Sequence, residues 1–393
     1  MLLMLAVVFW ITITFANIPS QWIAAALFWI EDQAASLFTS LGIPAWMTGF
    51  IWHGTYRGLA WVVAVMLPPM AIFFPMFTIL EDLGYLPRVA FNLDRLFKKA
   101  GAHGKQSLTM AMGFGCNAAG VIATRIIDSP RERLIAILTN NFVPCNGRFP
   151  TLIMLATVFV AASFSPALAS LAAAGSVVLV VLIGVLATLV VSWALSRTIL
   201  KGEASAFTLE LPPYRRPNVG RILYTSLIDR TLFVLWRAMK TAAPAGAVIW
   251  VLANITVGDA SLATHIANLL SPLGFAIGLD GVIMLAYIIA IPANEIVVPT
   301  MLMAYTGAGM MIGPEGFADL RTLLMGAHGW TMLTVVNLML FSLLHNPCAT
   351  TILTMWKETR SKKWTTIGAL MPLVIAFAVT FVTASVARLL GWV

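Results

Sequence analysis

Apolar runs of about 20 residues follow one another along the chain and are separated by short polar segments. Runs of this length predict transmembrane α-helices, because about 20 apolar residues are needed to cross a bilayer. The uninterrupted runs predict helices at residues 2–16, 57–80, 167–196, 231–256 and 364–390.

Three polar or amphipathic segments connect these helices. Residues 18–54 are predicted to stay outside the membrane, with an interfacial helix near residues 22–37. Residues 85–100 alternate apolar and basic side chains, which predicts an amphipathic helix along the inner membrane surface. Residues 197–230 are polar and predict a cytoplasmic connector.

Four further apolar segments are interrupted by glycine, proline or asparagine. Such interruptions free backbone polar groups, which lipid tolerates only inside protein or beside a water-filled cavity. We therefore predict two re-entrant hairpins and two broken helices around an intramembrane site. The hairpin tips are GFGCN (113–117, within 106–127) and IPANE (291–295), and the helix breaks are NNFVPCNGR (140–148, within 133–160) and HNPC (345–348, within 329–356).

The composition excludes an ordinary soluble globule, because 60% of residues are hydrophobic and only 10% are charged, where about 25% would be typical. The sequence predicts an all-α, polytopic membrane protein. Its net charge of +8 indicates basic loops at one membrane face and not a nucleic-acid surface. The positive-inside rule predicts that the basic clusters are cytoplasmic; they lie at residues 88–105, 125–133, 197–240 and 357–363.

The two hairpins differ in the charge of their flanks. The first has basic flanks, whereas the second is flanked by Asp259, Asp280, Glu315 and Asp319. Similar elements with opposite charge polarity predict an inverted-topology repeat of hairpin, broken helix and helix, with a site between the halves. The predicted divisions are an amino-terminal part with an external segment (1–83), a first repeat (84–198), a connector with a linking helix (199–256) and a second repeat (257–393).

Three cysteines stand at breaks in these elements: Cys116, Cys145 and Cys348. Each alone could be a small buried apolar side chain. Their shared position at breaks favours metal ligation, and thiolates suit soft or borderline ions over Mg²⁺ and Ca²⁺. Ligand type alone leaves Fe²⁺, Zn²⁺ and Mn²⁺ open.

Four other residues at the breaks are candidate ligands. Glu295 is an ionisable residue in an apolar segment and is predicted to be functional, although it could instead cap backbone amides. Asn117 and Asn294 could ligate an ion through oxygen or satisfy freed backbone groups. His345 could be a ligand or a hydrogen-bonded histidine of the bundle. Arg148, near the second break, could pair with a buried acid instead of contacting the substrate.

Seven short motifs occur along the chain: LEDLGY (80–85), GFGCN (113–117), DSPRER (128–133), KGE (201–203), ELPPY (210–214), IPANE (291–295) and NPC (346–348). They resemble those of the membrane (Gate) domain of ferrous iron transport protein B, and they cover nearly the whole chain in the family's order. The hairpin pattern also looks like that of concentrative nucleoside transporters.

The resemblance implies a multi-pass protein of the bacterial inner membrane that transports Fe²⁺ as its substrate and is not itself an enzyme. It also implies coupling to a cytoplasmic GTP-binding domain. The sequence contains no GxxxxGK[ST] loop, so we expect that domain to be a separate chain or to have been removed. Further expected partners are the lipid bilayer, a small cytoplasmic Feo protein and further copies in a homo-oligomer.

Two other functions remain open from the sequence. A secondary transporter of nucleosides or another small solute could use the same hairpin plan, and a membrane scaffold would transport nothing. Nucleoside transport has no need of three thiols at the breaks, and a scaffold has no need of Glu295.

Overall fold

The structure is a computed structural model that describes residues 2–202, 219–258, 260–313 and 320–391. It begins with one long helix, α1 (Leu2–Ser40). The prediction that this helix ends near residue 16 is wrong, as is that of a separate interfacial helix. Pro19 removes a single hydrogen-bond donor, and the following residues are rich in good helix formers, so the helix continues to the left-handed turn at Gly42.

The second long element runs from α2 (Ala45–Thr48) through a π-helical segment (Gly49–Tyr56) into α3 (Arg57–Asp82). It packs along α1. The predicted end near residue 80 is confirmed, because α3 stops at Asp82 and Gly84 adopts a left-handed conformation with φ of 75°. That conformation favours glycine, so the chain turns here into the next helix.

The next elements form the predicted order of hairpin, broken helix and helix, preceded by the amphipathic helix. Ser129 caps the broken helix by accepting a hydrogen bond from the Glu132 N–H group, and Pro130 occupies the first turn, where it costs no hydrogen bond. The helices are α4 (Tyr85–Lys99), α5 (Gln106–Gly115), α6 (Asn117–Ala123), α7 (Pro130–Thr139), α8 (Phe149–Leu155) and α9 (Pro166–Arg197).

A second long helical element links the two repeats. It consists of α10 (Val219–Tyr224), a π-helical segment (Thr225–Leu232) and α11 (Phe233–Asn254). The element begins earlier than the predicted residue 231, because the Ser226 hydroxyl donates to Thr78 of α3 and holds the polar part of the connector against the bundle. A short antiparallel hairpin follows, formed by β1 (Thr256–Val257) and β2 (Ala260–Ser261).

The second repeat has the same order of elements. Its hairpin is preceded by an additional helix that the sequence analysis missed, and that helix occupies the same place in the order as α4 does in the first repeat. The helices are α12 (Leu262–Ala276), α13 (Gly281–Ile289), α14 (Val297–Thr306), α15 (Met332–Leu344), α16 (Ala349–Thr359) and α17 (Lys362–Leu389).

The lengths and apolar character of these helices confirm an all-α, polytopic membrane protein. Within the described residues, four helices are long and apolar enough to cross a membrane, and α12 with α13 forms a fifth candidate span that bends by 108°. The four are Ala45–Leu80, Leu168–Arg197, Met332–Thr359 and Lys362–Leu389. The opposite orientation of the two repeats stays a prediction.

Ion pairs join the two repeats near one end of α16. Arg125 and Arg133 of the first repeat contact opposite oxygens of the Glu358 carboxylate at 2.6 and 2.8 Å. Within the first repeat, Lys105 contacts Asp128 at 2.9 Å. The hydrogen bond from this lysine lowers the pKa of Asp128. These contacts gather the first two basic clusters beside α16.

Several sequence features lie outside the described residues. They are Glu203 of the KGE motif, the ELPPY motif at 210–214, and the acidic residues Asp259, Glu315 and Asp319.

Candidate functional site

The two hairpins and the two broken helices meet around a cavity of about 30 Å³. Six of the seven predicted site residues line it, and two long helices, α3 and α11, close it. The lining residues from the hairpins and breaks are Gly115, Cys116, Asn117, Cys145, Gly147, Pro292, Ala293, Asn294, Glu295, Cys348, Thr350 and Thr351, and those from the closing helices are Met66, Met70, Val234 and Ala238.

The two hairpin tips have the same backbone conformation. Cys116 breaks the first hairpin with φ of −154° and ψ of 123°, and Ala293 breaks the second with φ of −153° and ψ of 118°. Each of these extended residues is followed by an asparagine that begins the next helical turn, Asn117 or Asn294. The match places the two asparagines at equivalent positions of the two repeats, as predicted.

Glycines of the first hairpin make room for a neighbouring asparagine. A Cβ atom on Gly113 or Gly120 would press against the carboxamide of Asn140, which donates a hydrogen bond of 3.0 Å to the Asn117 carbonyl. The buried Asn117 carboxamide, oriented to satisfy its neighbours, lies within 3.1 Å of the Gly113 carbonyl and 3.2 Å of the Val143 carbonyl. Its nitrogen therefore satisfies freed backbone carbonyls, and this supports the structural alternative for Asn117.

The two helix breaks also match each other. Each contains a Pro-Cys pair, Pro144-Cys145 or Pro347-Cys348, and the residue after the cysteine donates a backbone hydrogen bond to the hairpin of its own repeat. Asn146 donates to the Gly115 carbonyl at 3.3 Å, and Ala349 donates to the Ile291 carbonyl at 2.8 Å. These bonds fix the cysteines against the hairpin tips, because each stands directly before the donor residue.

Arg148 joins the two breaks to each other. Its guanidinium is 1% exposed, and it donates hydrogen bonds to five acceptors at 2.7–3.3 Å. The expectation that it pairs with a buried acid is wrong, because all five acceptors are carbonyl oxygens. They are the Asn141 carbonyl and side-chain oxygens and the carbonyls of Leu343, His345 and Asn346.

The carbonyls that Arg148 binds include those freed at the end of α15, where the helix dipole favours a cation. The Asn141 carboxamide adds a further hydrogen bond of 2.7 Å to the His345 carbonyl. The protein's own donors thus occupy these backbone oxygens. An ion in the cavity would have to be held mainly by side chains.

His345 is buried beside the cavity but does not line it. Its Nδ1 atom lies 2.9 Å from the Ser342 carbonyl, and its Nε2 atom lies 3.4 Å from the side-chain oxygen of Asn294. A metal bond through Nε2 would therefore require this nitrogen to turn away from Asn294. The geometry supports the alternative of a hydrogen-bonded histidine.

Glu295 contacts the opposite repeat. The Trp61 indole of α3 donates to its backbone carbonyl at 3.3 Å, while its carboxylate lies beside Gly147. In the part of the chain that the structure describes, no Lys, Arg or His nitrogen lies within 4.0 Å of this carboxylate. An uncompensated carboxylate in an apolar bundle is costly, and a cation in the cavity would relieve that cost.

The lining groups surround the cavity without forming a compact metal site. Among the described residues, no three His, Cys, Asp or Glu side chains are close enough together to hold one metal ion. Cys116 is buried, whereas Cys145 and Cys348 are partly exposed and Cys348 also contacts the Thr351 hydroxyl at 3.3 Å.

The features of the site that were not predicted from the sequence are the roles of Asn140 and Asn141 within the break, the capping role of Arg148, and the two methionines on the cavity wall. An asparagine pair before a proline is a detectable sequence signal for a capped break. Met66 and Met70 carry no such signal, because nothing local distinguishes them from the other methionines of the chain.

Comparison with known proteins shows two family matches. A family model named Gate and described as nucleoside recognition matches residues 63–159 and 235–362, which is more than half of the chain. A model described as the C terminus of ferrous iron transport protein B matches residues 177–229. No solved structure matches the chain significantly.

Several curated proteins are similar over most of the chain. The Fe(2+) transporter FeoB of Staphylococcus aureus is 28% identical over 368 residues, covering 91% of this chain and 52% of the relative. That of a Synechocystis species is 28% identical over 98% of this chain and 60% of the relative. In Porphyromonas gingivalis, a fusion protein of Fe(2+) transport protein A and Fe(2+) transporter FeoB is 25% identical over 97% of this chain and 49% of the relative. The chain thus spans about half the length of the relatives that it matches.

Proposed function

Because this chain belongs to the Gate family of membrane domains, in the form found in ferrous iron transport protein B, we propose that it forms a membrane path for Fe²⁺. The observation that carries the proposal is the meeting of three cysteines and Glu295 at one cavity. Thiolate and carboxylate ligands together suit a borderline divalent ion. The names of the relatives, which are Fe(2+) transporters, support the same substrate.

The size of the cavity supports an ion over a larger solute. A volume of about 30 Å³ accommodates a water molecule or a single ion. Pockets for drug-sized ligands measure about 300–1,000 Å³. The second candidate function, transport of a nucleoside, is favoured by the description of the Gate family, but its substrate would not fit this cavity.

The spread of the ligands around the cavity suits transport better than storage. A transported ion must bind well enough to enter and weakly enough to leave. We propose that Fe²⁺ contacts Cys116, Cys145, Cys348 and Glu295 in succession, with Asn294 supplying an oxygen atom at the tip of the second hairpin. Each thiol that becomes a ligand releases its proton when the ion binds.

The partners and location follow from the same family. We propose that the chain acts in the bacterial inner membrane and that a GTP-binding domain drives or gates transport from the cytoplasmic side. The fusion protein of Porphyromonas gingivalis supports a small Feo partner, because it joins Fe(2+) transport protein A to the transporter. Assembly into a homo-oligomer stays a prediction.

The proposal is tested by anaerobic Fe²⁺ binding to the purified chain in detergent. Wild type is compared with the triple variant Cys116→Ser, Cys145→Ser, Cys348→Ser, and with Met339→Leu, which changes a buried side chain outside the cavity. We expect binding by wild type and Met339→Leu and at least a tenfold weaker affinity for the triple variant, the loss typical of an altered metal site. Wild-type affinity in the triple variant would refute a thiol site. Uridine uptake by cells expressing wild type, with no Fe²⁺ uptake, would favour the nucleoside transporter.

A further inference from the structure

The cavity has two chemically different walls. The hairpins and breaks form one wall, which carries the thiols, carboxamides, hydroxyls and the carboxylate. The long helices α3 and α11 form the other wall, to which α3 contributes Met66 and Met70 and α11 contributes Val234 and Ala238. Of these four side chains only the two methionines possess an atom that can donate electrons to a metal.

The two methionines lie on the face of α3 that meets the hairpins. They are four residues apart and therefore neighbours on one helix face, and they are 7% and 2% exposed. Phe73, one turn further along this face, packs so closely on Gly115 that a Cβ atom there would overlap its ring. This contact fixes α3 directly beside the break at Cys116.

We propose that Met66 and Met70 form a thioether wall that makes the cavity selective for soft and borderline metal ions over hard ones. This inference rests on the proposed function. It adds two residues to the proposed ion site and states which metal ions that site prefers. Thioether sulfur binds soft ions and has little affinity for hard cations such as Mg²⁺ or Mn²⁺, whose preferred ligands are oxygen atoms.

A thioether wall also suits passage of the ion. A thioether carries neither charge nor proton at physiological pH, so it remains available without deprotonation, unlike the cysteines. It is a weaker donor than a thiolate, and weak sites let an ion leave. An ion moving between the thiols and Glu295 would therefore keep a sulfur neighbour without being trapped by it.

The alternative role for both methionines is packing, and substitution by leucine separates the two roles. Leucine fills nearly the same volume as methionine and usually costs less than about 1.5 kcal/mol in a core, but it has no sulfur. The test variant is Met66→Leu with Met70→Leu. The matched control is Met339→Leu, because Met339 is 4% exposed and does not line the cavity.

The experiment measures Cd²⁺ and Mn²⁺ affinities of the purified full chain in detergent, with Cd²⁺ as the soft probe and Mn²⁺ as the hard one. We expect the ratio of Cd²⁺ to Mn²⁺ affinity to fall about tenfold in the double variant, at the lower end of the effects seen for altered metal sites. The Mn²⁺ affinity itself should not change, and Met339→Leu should match wild type.

A direct contact is measured by X-ray absorption at the selenium edge of selenomethionine-labelled protein with Cd²⁺ bound. A selenium–cadmium contact is expected in wild type and Met339→Leu and not in the double variant. If wild type binds Cd²⁺ and Fe²⁺ but shows no such contact, and the affinity ratio is unchanged, the thioether wall is refuted while the proposed function stands. If wild type binds neither ion, the proposed function fails and the wall fails with it.

Discussion

The carboxylate of Glu295 lies against the backbone of Gly147, so the hairpin of the second repeat touches the broken helix of the first. A Cβ atom at position 147 would overlap Oε1 of this carboxylate. Glycine is therefore required here for close approach, since its backbone conformation is ordinary. The contact positions the cavity's carboxylate beside Cys145, two residues before Gly147.

We predict that Gly147→Ala weakens Fe²⁺ binding by about tenfold or more while the protein still folds, because the added methyl group displaces only the end of a flexible side chain. Affinity is measured on the purified chain under anaerobic conditions. Gly175→Ala is the matched control, since a Cβ atom at this position of α9 meets no neighbour within 4 Å. Wild-type affinity in Gly147→Ala would show that Fe²⁺ binding does not depend on the position of the Glu295 carboxylate.

The second prediction concerns the guanidinium that joins the two breaks. Arg148→Met removes all five of these hydrogen bonds, although the His345 carbonyl keeps the one from the Asn141 carboxamide. Each buried acceptor left unsatisfied costs about 1–3 kcal/mol. We therefore expect a loss of at least about 3 kcal/mol in the free energy of unfolding. The free energy of unfolding of Arg148→Lys should lie between those of Arg148→Met and wild type, because lysine keeps the charge but not the planar set of donors.

Unfolding of Arg148→Met is followed by circular dichroism in detergent, beside Lys362→Met as a control that removes an exposed positive charge. Equal stability of Arg148→Met and wild type would mean that other donors satisfy the carbonyls of Leu343, His345 and Asn346.

Much of this arrangement follows from the sequence. Glycine or proline near asparagine marked both hairpin tips and both breaks, because glycine and proline are poor helix formers and asparagine competes for backbone hydrogen bonds. For the same reason Cys116, Cys145 and Cys348 could be assigned to breaks before any contact was known. The lengths of the apolar runs predicted most of the long helices. The orientation that the charges predict for them stays a prediction.

The features of the fold and the site that were not predicted depend mostly on packing between segments far apart in the sequence. Three of the five acceptors of Arg148 lie almost 200 residues away, and a local sequence pattern does not reveal which helix end a buried guanidinium will cap. Met66 and Met70 become informative only once α3 is known to close the cavity. The length of α1 was missed because the helix was predicted to cover only residues 2–16; Pro19 lies inside α1, and one proline removes only one donor.

The third prediction is topological and tests the inverted repeat. Cysteines introduced singly at positions 131 and 362 should be labelled by an impermeant thiol reagent only from the cytoplasmic side, because basic residues surround both positions. Cysteines at positions 259 and 315, which lie outside the described residues, should be labelled only from the opposite side. The three native cysteines are replaced by serine beforehand. Labelling of positions 131 and 315 from the same side would exclude opposite orientations of the two repeats.

The last prediction decides between the two roles of Glu295. The carboxylate has no cationic partner within 4.0 Å among the described residues and lines the cavity, so a bound ion is the partner that would offset its burial. Glu295→Gln keeps the shape and the capacity to hydrogen-bond but removes the charge. If the ion is the partner, the variant should fold normally and bind Fe²⁺ about tenfold or more weakly, with slower uptake.

A carboxylate that only caps backbone amides would be replaced by glutamine at little cost, because the glutamine side-chain oxygen can accept the same hydrogen bonds. The two roles therefore give opposite results for the same variant. Uptake of Fe²⁺ by Glu295→Gln is measured over a range of concentrations, so that the maximal rate and the apparent affinity are obtained separately, and thermal unfolding confirms that the variant is folded. A wild-type maximal rate together with a wild-type apparent affinity would show that Glu295 has a structural role. The cysteine thiolates would then be the remaining charged ligands proposed for the cavity.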